Sequence, residues 1–123
     1  MSHPAAIIYG CAGLSLTAEE AALFQRVKPW GFILFRRNID TPEQVRALTA
    51  ALRATVGRAD APVLIDQEGG RVQRMGPPHW RAYPNGATFG KLWDIAPDRG
   101  REAAFLAARM MAGDLRDCGI TVD

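Results

Sequence analysis

Between positions 66 and 74 the chain sets two carboxylates, Asp66 and Glu68, and two guanidinium groups, Arg71 and Arg74, around the pair Gly69-Gly70. Carboxylates accept hydrogen bonds and a guanidinium donates them from a rigid fork. Two readings are open. Asp66 caps the turn that follows it and the arginines are solvated surface charges, as acids beside glycine often do. Alternatively, Asp66 and an arginine point into a cleft and grip a polar ligand. Asp66 and Glu68 are not an acid/base pair. They sit two positions apart on a strand end and its turn, and no second acid faces them from another strand end.

The elements that must position these groups follow from pattern. Pro62-Val63-Leu64-Ile65 is a short apolar run, suited to a strand buried on both faces. An acid at the carboxyl end of such a strand is where α/β proteins place ligands. Upstream, residues 5–9 read as a first buried strand, followed by a Gly10-to-Gly13 turn. Thr17 and Glu20 have capping-box spacing and open a helix that runs to about Val27. Residues 31–35 form an apolar second strand expected to be covered on both faces, and 36–40 the loop beyond it. Thr41, Pro42 and Gln44 start a second helix with an apolar stripe at Val45, Leu48, Leu52 and Val56, ended by Gly57.

From Gln67 to about Pro97 the alternation lapses into turn signals, with room for a short helix over 88–92. Regularity resumes over 99–117, where Phe105, Ala108, Met111 (or Ala112) and Leu115 share a face. Gly119 sits at the left-handed cap position, and 120–122 begin a fourth strand. The order predicts an α/β fold with parallel strands. Pattern alone leaves an open doubly wound sheet and part of a (β/α)8 barrel both standing, although no Gly-x-Gly-x-x-Gly follows a strand.

Composition narrows the classes. Of the 123 residues 48% are hydrophobic and 23% charged, as in ordinary globular proteins. The net charge of +2, without a basic block, argues against a nucleic-acid partner. No run approaches the roughly 18 apolar residues of a membrane span, so no membrane partner is expected. The start of the chain lacks a cationic stretch followed by an apolar one. Cys11 and Cys118 lack metal-ligand spacing and read as free thiols. A cytoplasmic protein without metal or cofactor is expected.

The string Asp66-Gln-Glu-Gly-Gly-Arg-Val-Gln-Arg74, preceded by Gly31-Phe-Ile-Leu-Phe-Arg-Arg-Asn38, resembles the signature of family-3 glycoside hydrolases, in the bacterial β-N-acetylglucosaminidase branch. The resemblance selects the barrel. It implies that residues 1–123 are the amino-terminal part of that family's N-terminal domain: the first three βα units of a TIM barrel and the start of its fourth strand. It implies a retaining hydrolase of terminal β-N-acetylglucosamine, acting in peptidoglycan recycling on muropeptides. The family's nucleophilic aspartate and its proton-transferring histidine have no counterpart here. No catalytic residue is therefore expected in this chain, and His79 lacks the family's catalytic context.

The resemblance implies substrate binding by Asp66 and Arg74. Glu68 and Arg71 are candidates for substrate contact or loop support, and Trp80 for stacking on a sugar. Trp30 and Trp93 are expected in core or helix packing. One of Arg36, Arg37 and Asn38 either braces Asp66 or is solvated. The family's acid near the end of its first strand is replaced here by Gly10-Cys11. The alternative function is a sugar-binding or assembly module without activity, and unpaired barrel edges favour self-association.

Overall fold

The computed structural model describes residues 3–123. Elements follow in the order β1 (Ala5–Tyr9), α1 (Ala18–Val27), β2 (Pro29–Leu34), a 3-10 turn (Arg36–Asn38), α2 (Pro42–Val56) and β3 (Val63–Ile65). Then come the short strands β4 (Gln67–Gly69) and β5 (Val72–Gln73), and the helices α3 (Gly86–Ile95) and α4 (Pro97–Asp117). The strands β1, β2 and β3 lie parallel in that spatial order. Leu64 of β3 pairs on its other side with Val122, also in parallel, so the fourth strand begins where expected.

Local chemistry explains the starts and stops. Glu20 N–H donates to Thr17 Oγ1 at 3.1 Å, and Thr17 N–H donates to the Glu20 carboxylate at 3.0 Å. That capping box satisfies donors that a helix start leaves orphaned. Thr41 caps α2 through its hydroxyl, but Gln44 does not close a box. Its side chain accepts from Asp40 N–H and donates to the carbonyls of Leu14 and Asn38, tying the loops after β1 and β2 together. At the end of α4, Gly119 takes φ +80° and Ile120 N–H returns to Leu115 O at 3.0 Å, a Schellman closure.

Register places Tyr9, Phe32 and Val63 side by side, and Leu34 beside Ile65. This face carries the core. Phe24 of α1 packs edge-on to Phe32 at 5.2 Å and against Tyr9 at 5.5 Å. Val45, Leu48 and Leu52 of α2, with Leu115 of α4, complete the cluster. The strands advance in one spatial direction, and the helices that bury them share one face.

The other face corrects two expectations. β1 is not a buried strand: Ile7 and Ile8 are 42% and 44% exposed. β2 and β3 are fully buried on one side only, since Ile33 and Leu64 remain half-buried. Apolar sequence therefore marked a face with no covering element among the described residues. Trp30, expected inside, is 43% exposed. Trp93 is 44% exposed, yet its backbone packs so closely on Gly100 that a Cβ there would lie 2.6 Å from it. Only the second part of the α4 face is buried. Met111 and Leu115 are inside, whereas Phe105 is 65% exposed.

Candidate functional site

Asp66 follows β3 directly, at the carboxyl end of the sheet, and the chain turns at once into the β4–β5 hairpin. Alternation along an extended backbone sends neighbouring side chains to opposite sides. Asp66 is half-open, whereas Gln67 is buried at 1% exposure. The hairpin returns at Gly69 and Gly70, both with positive φ. A Cβ on Gly69 would run into Pro84 O, so the turn packs directly on the long loop and admits no side chain there.

The return brings Arg74 back to Asp66, with Nη2 donating to Oδ2 at 3.2 Å. The acid and the arginine named in the second reading are thus brought together. Pairs this open contribute only about 0–1 kcal/mol to folding. Their hydrogen-bonding capacity is far from spent. Oδ1 of Asp66 has no partner among the described residues, and Arg74 Nε is buried without one. Native proteins seldom leave a buried donor unpaired. The arrangement is an acceptor beside a donor fork, with spare positions on both.

Two glutamines hold the arginine in place. Gln67 Oε1 accepts from the backbone N–H groups of Arg74 (2.9 Å) and Met75 (3.0 Å), and its Nε2 donates to Met75 O at 2.7 Å. Gln73 Nε2 donates to the carbonyls of Met75 and Arg81, while its Oε1 accepts from Tyr83 N–H. Glu68 and Arg71, named for substrate contact or loop support, both have exposed side chains. Neither makes a side-chain hydrogen bond or ion pair among the described residues. The loop is supported by amides rather than charges, because a buried backbone donor is met at lower desolvation cost by an amide than by an ion. Sequence reasoning passed over both glutamines. The signal was the alternation that puts residue 67 opposite residue 66.

Trp80 is also placed differently from expectation. It is 8% exposed and belongs to the core cluster, so its ring is not open for stacking on a sugar. None of the three residues after β2 braces Asp66. Arg37 Nε and Asn38 Nδ2 donate to Cys11 O, each at 3.0 Å, and Arg36 Nη1 donates to Ile39 O. Asn38, fully buried, also donates to Gly13 O and accepts from Phe35 N–H. Arg37 lies over the Phe35 ring and beside Gly10, where the family's acid is absent.

Tyr83 anchors the long loop to α4. Its hydroxyl donates to Asp114 Oδ2 at 2.6 Å. Burial, with the Asp114 carboxylate as a further cause, pushes the phenol up to about 12. Burial likewise raises the Cys11 thiol to about 11, with Glu20 adding to it. Both acids have folded values above their unfolded ones. Their stabilisation is complete below the unfolded values, near 9 to 10, and is lost as pH rises through 11 to 12. Urea midpoints should therefore fall between pH 9 and 12. Tyr83→Phe, costing about 1–2 kcal/mol at pH 7, should flatten the upper part of that decline. An unchanged profile in the variant would remove Tyr83 from this role.

Among the described residues no three His, Cys, Asp or Glu side chains converge as metal ligands, and no helix is long and apolar enough to cross a membrane.

No protein-family model matches the chain. It is similar to a β-hexosaminidase of Methylobacillus flagellatus, 37% identical over 114 residues, which covers 93% of this chain and 32% of that protein. It is also similar to NagZ from Neisseria gonorrhoeae, solved in complex with N-trifluoroacetyl-D-glucosamine. There the TM-score is 0.86 at 34% identity, covering 95% of this chain and 34% of the other. A family-3 β-N-acetylglucosaminidase from a Paenibacillus strain superposes with TM-score 0.78 at 31% identity, over 93% of this chain and 21% of that one. The chain thus spans about a third of the length of the β-hexosaminidases it matches. The resemblance read from the Asp66–Arg74 string is borne out.

Proposed function

We propose that this chain, a relative of the family-3 β-N-acetylglucosaminidases over nearly its whole length, forms the opening of a (β/α)8 barrel and carries its sugar-gripping residues. Residues 1–123 are read as the amino-terminal portion of that domain. The observation that carries the reading is the Asp66–Arg74 pair, 3.2 Å apart at the end of β3. Asp66 Oδ1 has no partner among the described residues, which leaves the carboxylate an acceptor position for a ligand. A carboxylate that takes two neighbouring hydroxyls, beside a guanidinium fork, suits the terminal N-acetylglucosamine of a glycoside.

The whole protein's activity is then retaining hydrolysis of terminal β-N-acetylglucosamine, in the cytoplasm, on muropeptides released during peptidoglycan recycling. Residues 1–123 supply binding, while the nucleophile and the proton-transfer group come from later barrel units. Self-association of the chain alone is part of this reading, because Ile7 and Ile8 of β1 and half of the sheet lie open. The test is release of N-acetylglucosamine from a chromogenic glycoside. A protein extended through the rest of the barrel should release it, and residues 1–123 should not. Turnover by the short chain would overturn the division of labour. Millimolar sugar binding without any turnover in the extended protein would favour the non-catalytic alternative.

A further inference from the structure

The side of α4 turned away from the core is apolar in its middle and charged on either side of that middle. The helix buries Gly100, Met111 and Leu115. At about 3.6 residues per turn, Glu102, Arg109 and Gly113 lie on the line opposite those three, with Phe105 and Leu106 flanking it. Phe105 is 65% exposed and Leu106 48%. Met110 extends the patch on the Leu106 side, and Leu106 also walls a hollow between α3 and α4 with Leu92 and Ala103. Single exposed apolar residues are ordinary, whereas a contiguous group marks a contact.

The charges on this line are unspent. Neither Glu102 nor Arg109 makes a hydrogen bond or ion pair among the described residues, and Arg99, three positions before Glu102, is not bonded to it. The positions three and four away from Arg109 hold Phe105, Leu106, Ala112 and Gly113, so its own helix offers no acid. Compensation of the helix dipole does not explain the two charges either. That effect is confined to the first and last turns, and both residues lie well inside Pro97–Asp117. Asp98, which is in the first turn, pairs with Arg101 at 3.7 Å.

The order acid, apolar pair, base is its own complement when reversed. Glu102 and Arg109 lie equally far from the midpoint between Phe105 and Leu106. In two antiparallel copies of α4 related by a twofold axis at that midpoint, Glu102 of each copy faces Arg109 of the other, so the pair forms twice. The same axis sets Phe105 against Phe105 and Leu106 against Leu106. A Cβ on Gly113 would meet nothing within 4 Å, so the far end of the line leaves room for a second helix to approach.

We infer that this side of α4 is a self-docking surface, bound by a second copy of the chain as an antiparallel helix pair. It is separate from the open β1 edge and does not depend on the sugar-binding reading.

Sedimentation velocity of the 123-residue chain over a concentration series tests it. Wild type should dimerise. Arg109→Glu sets acid against acid at both ends of the pair and should weaken dimerisation about tenfold or more. Glu102→Arg, which sets base against base, should do the same. Combining Glu102→Arg with Arg109→Glu exchanges the signs and should restore wild-type association. Both positions are exposed, so the fold does not depend on them. A monomeric wild type would overturn the inference and leave the patch to another occupant. Single variants that associate as wild type does would also overturn it and place self-association on the β1 edge. A double variant as weak as the singles would overturn the pairing of Glu102 with Arg109 and the inference with it.

Discussion

In Asp66→Ala, affinity of the chain for N-acetylglucosamine is expected to fall at least tenfold while the melting temperature stays within a few degrees of wild type. The two halves of this expectation have separate physical origins. The Asp66 side chain is 46% exposed and its only side-chain partner among the described residues is Arg74, itself 28% exposed, so the pair contributes little to folding. A bound sugar changes the balance. It covers the carboxylate, and hydrogen bonds to a charged acceptor then contribute about 1.5–3 kcal/mol each, where 1.4 kcal/mol is a factor of ten.

Arg74→Lys separates fork from charge. Lysine keeps the cation but presents it as a point rather than a planar pair of donors. A loss of affinity comparable to that of Asp66→Ala would show that geometry governs recognition. Calorimetry with thermal melts on the same samples checks both variants. Undiminished binding in Asp66→Ala would remove the pair from the site, and a collapse of the melt would make the aspartate a structural residue.

How much of this was legible depends on how each residue acts. Asp66 and Arg74 stood out because their charges, spacing and the intervening glycines form a recognisable string. The helix starts at Thr17 and Thr41 were legible because capping is local: the partners lie three residues away. Burial of the sheet was misjudged because Ile7, Ile8, Ile33 and Leu64 look apolar whether or not anything covers them. Trp80 was assigned to a sugar from its place in a long loop, whereas it is buried in the same core cluster as Cys118, 38 positions further on. The hairpin of β4 and β5 escaped notice for a different reason. Each strand has too few residues to show a period, and its stability comes from side-chain amides reaching back to the main chain. Contacts of that kind are invisible to apolar patterning.

Those amides lead to the larger effect on stability. Gln67→Leu conserves approximate volume and removes every polar atom of a side chain that is 1% exposed. Two backbone N–H groups, those of Arg74 and Met75, then lose their acceptor, and Met75 O loses one of its two amide donors. An unsatisfied buried donor costs about 1–3 kcal/mol. The variant should therefore lose about 2–5 kcal/mol, a large share of the 5–15 kcal/mol typical of a domain. Sugar affinity should fall with it, although residue 67 does not reach the ligand, because the segment that presents Arg74 is no longer fixed.

Gln67→Glu discriminates support from mere volume. Ionised, the glutamate keeps both acceptor bonds but cannot donate to Met75 O, and it buries a charge. Protonated, it can accept from the two N–H groups and donate to Met75 O as the amide does. Burial raises the folded pKa of such a carboxyl above its unfolded value near 4.3. Relative to wild type, its stability should be highest below that value and decline as pH rises through the folded pKa. Urea titrations of the two proteins across pH 4 to 8 read this difference directly. A gap that does not widen with pH would mean that the amide at 67 fills space rather than holding Arg74 beside Asp66.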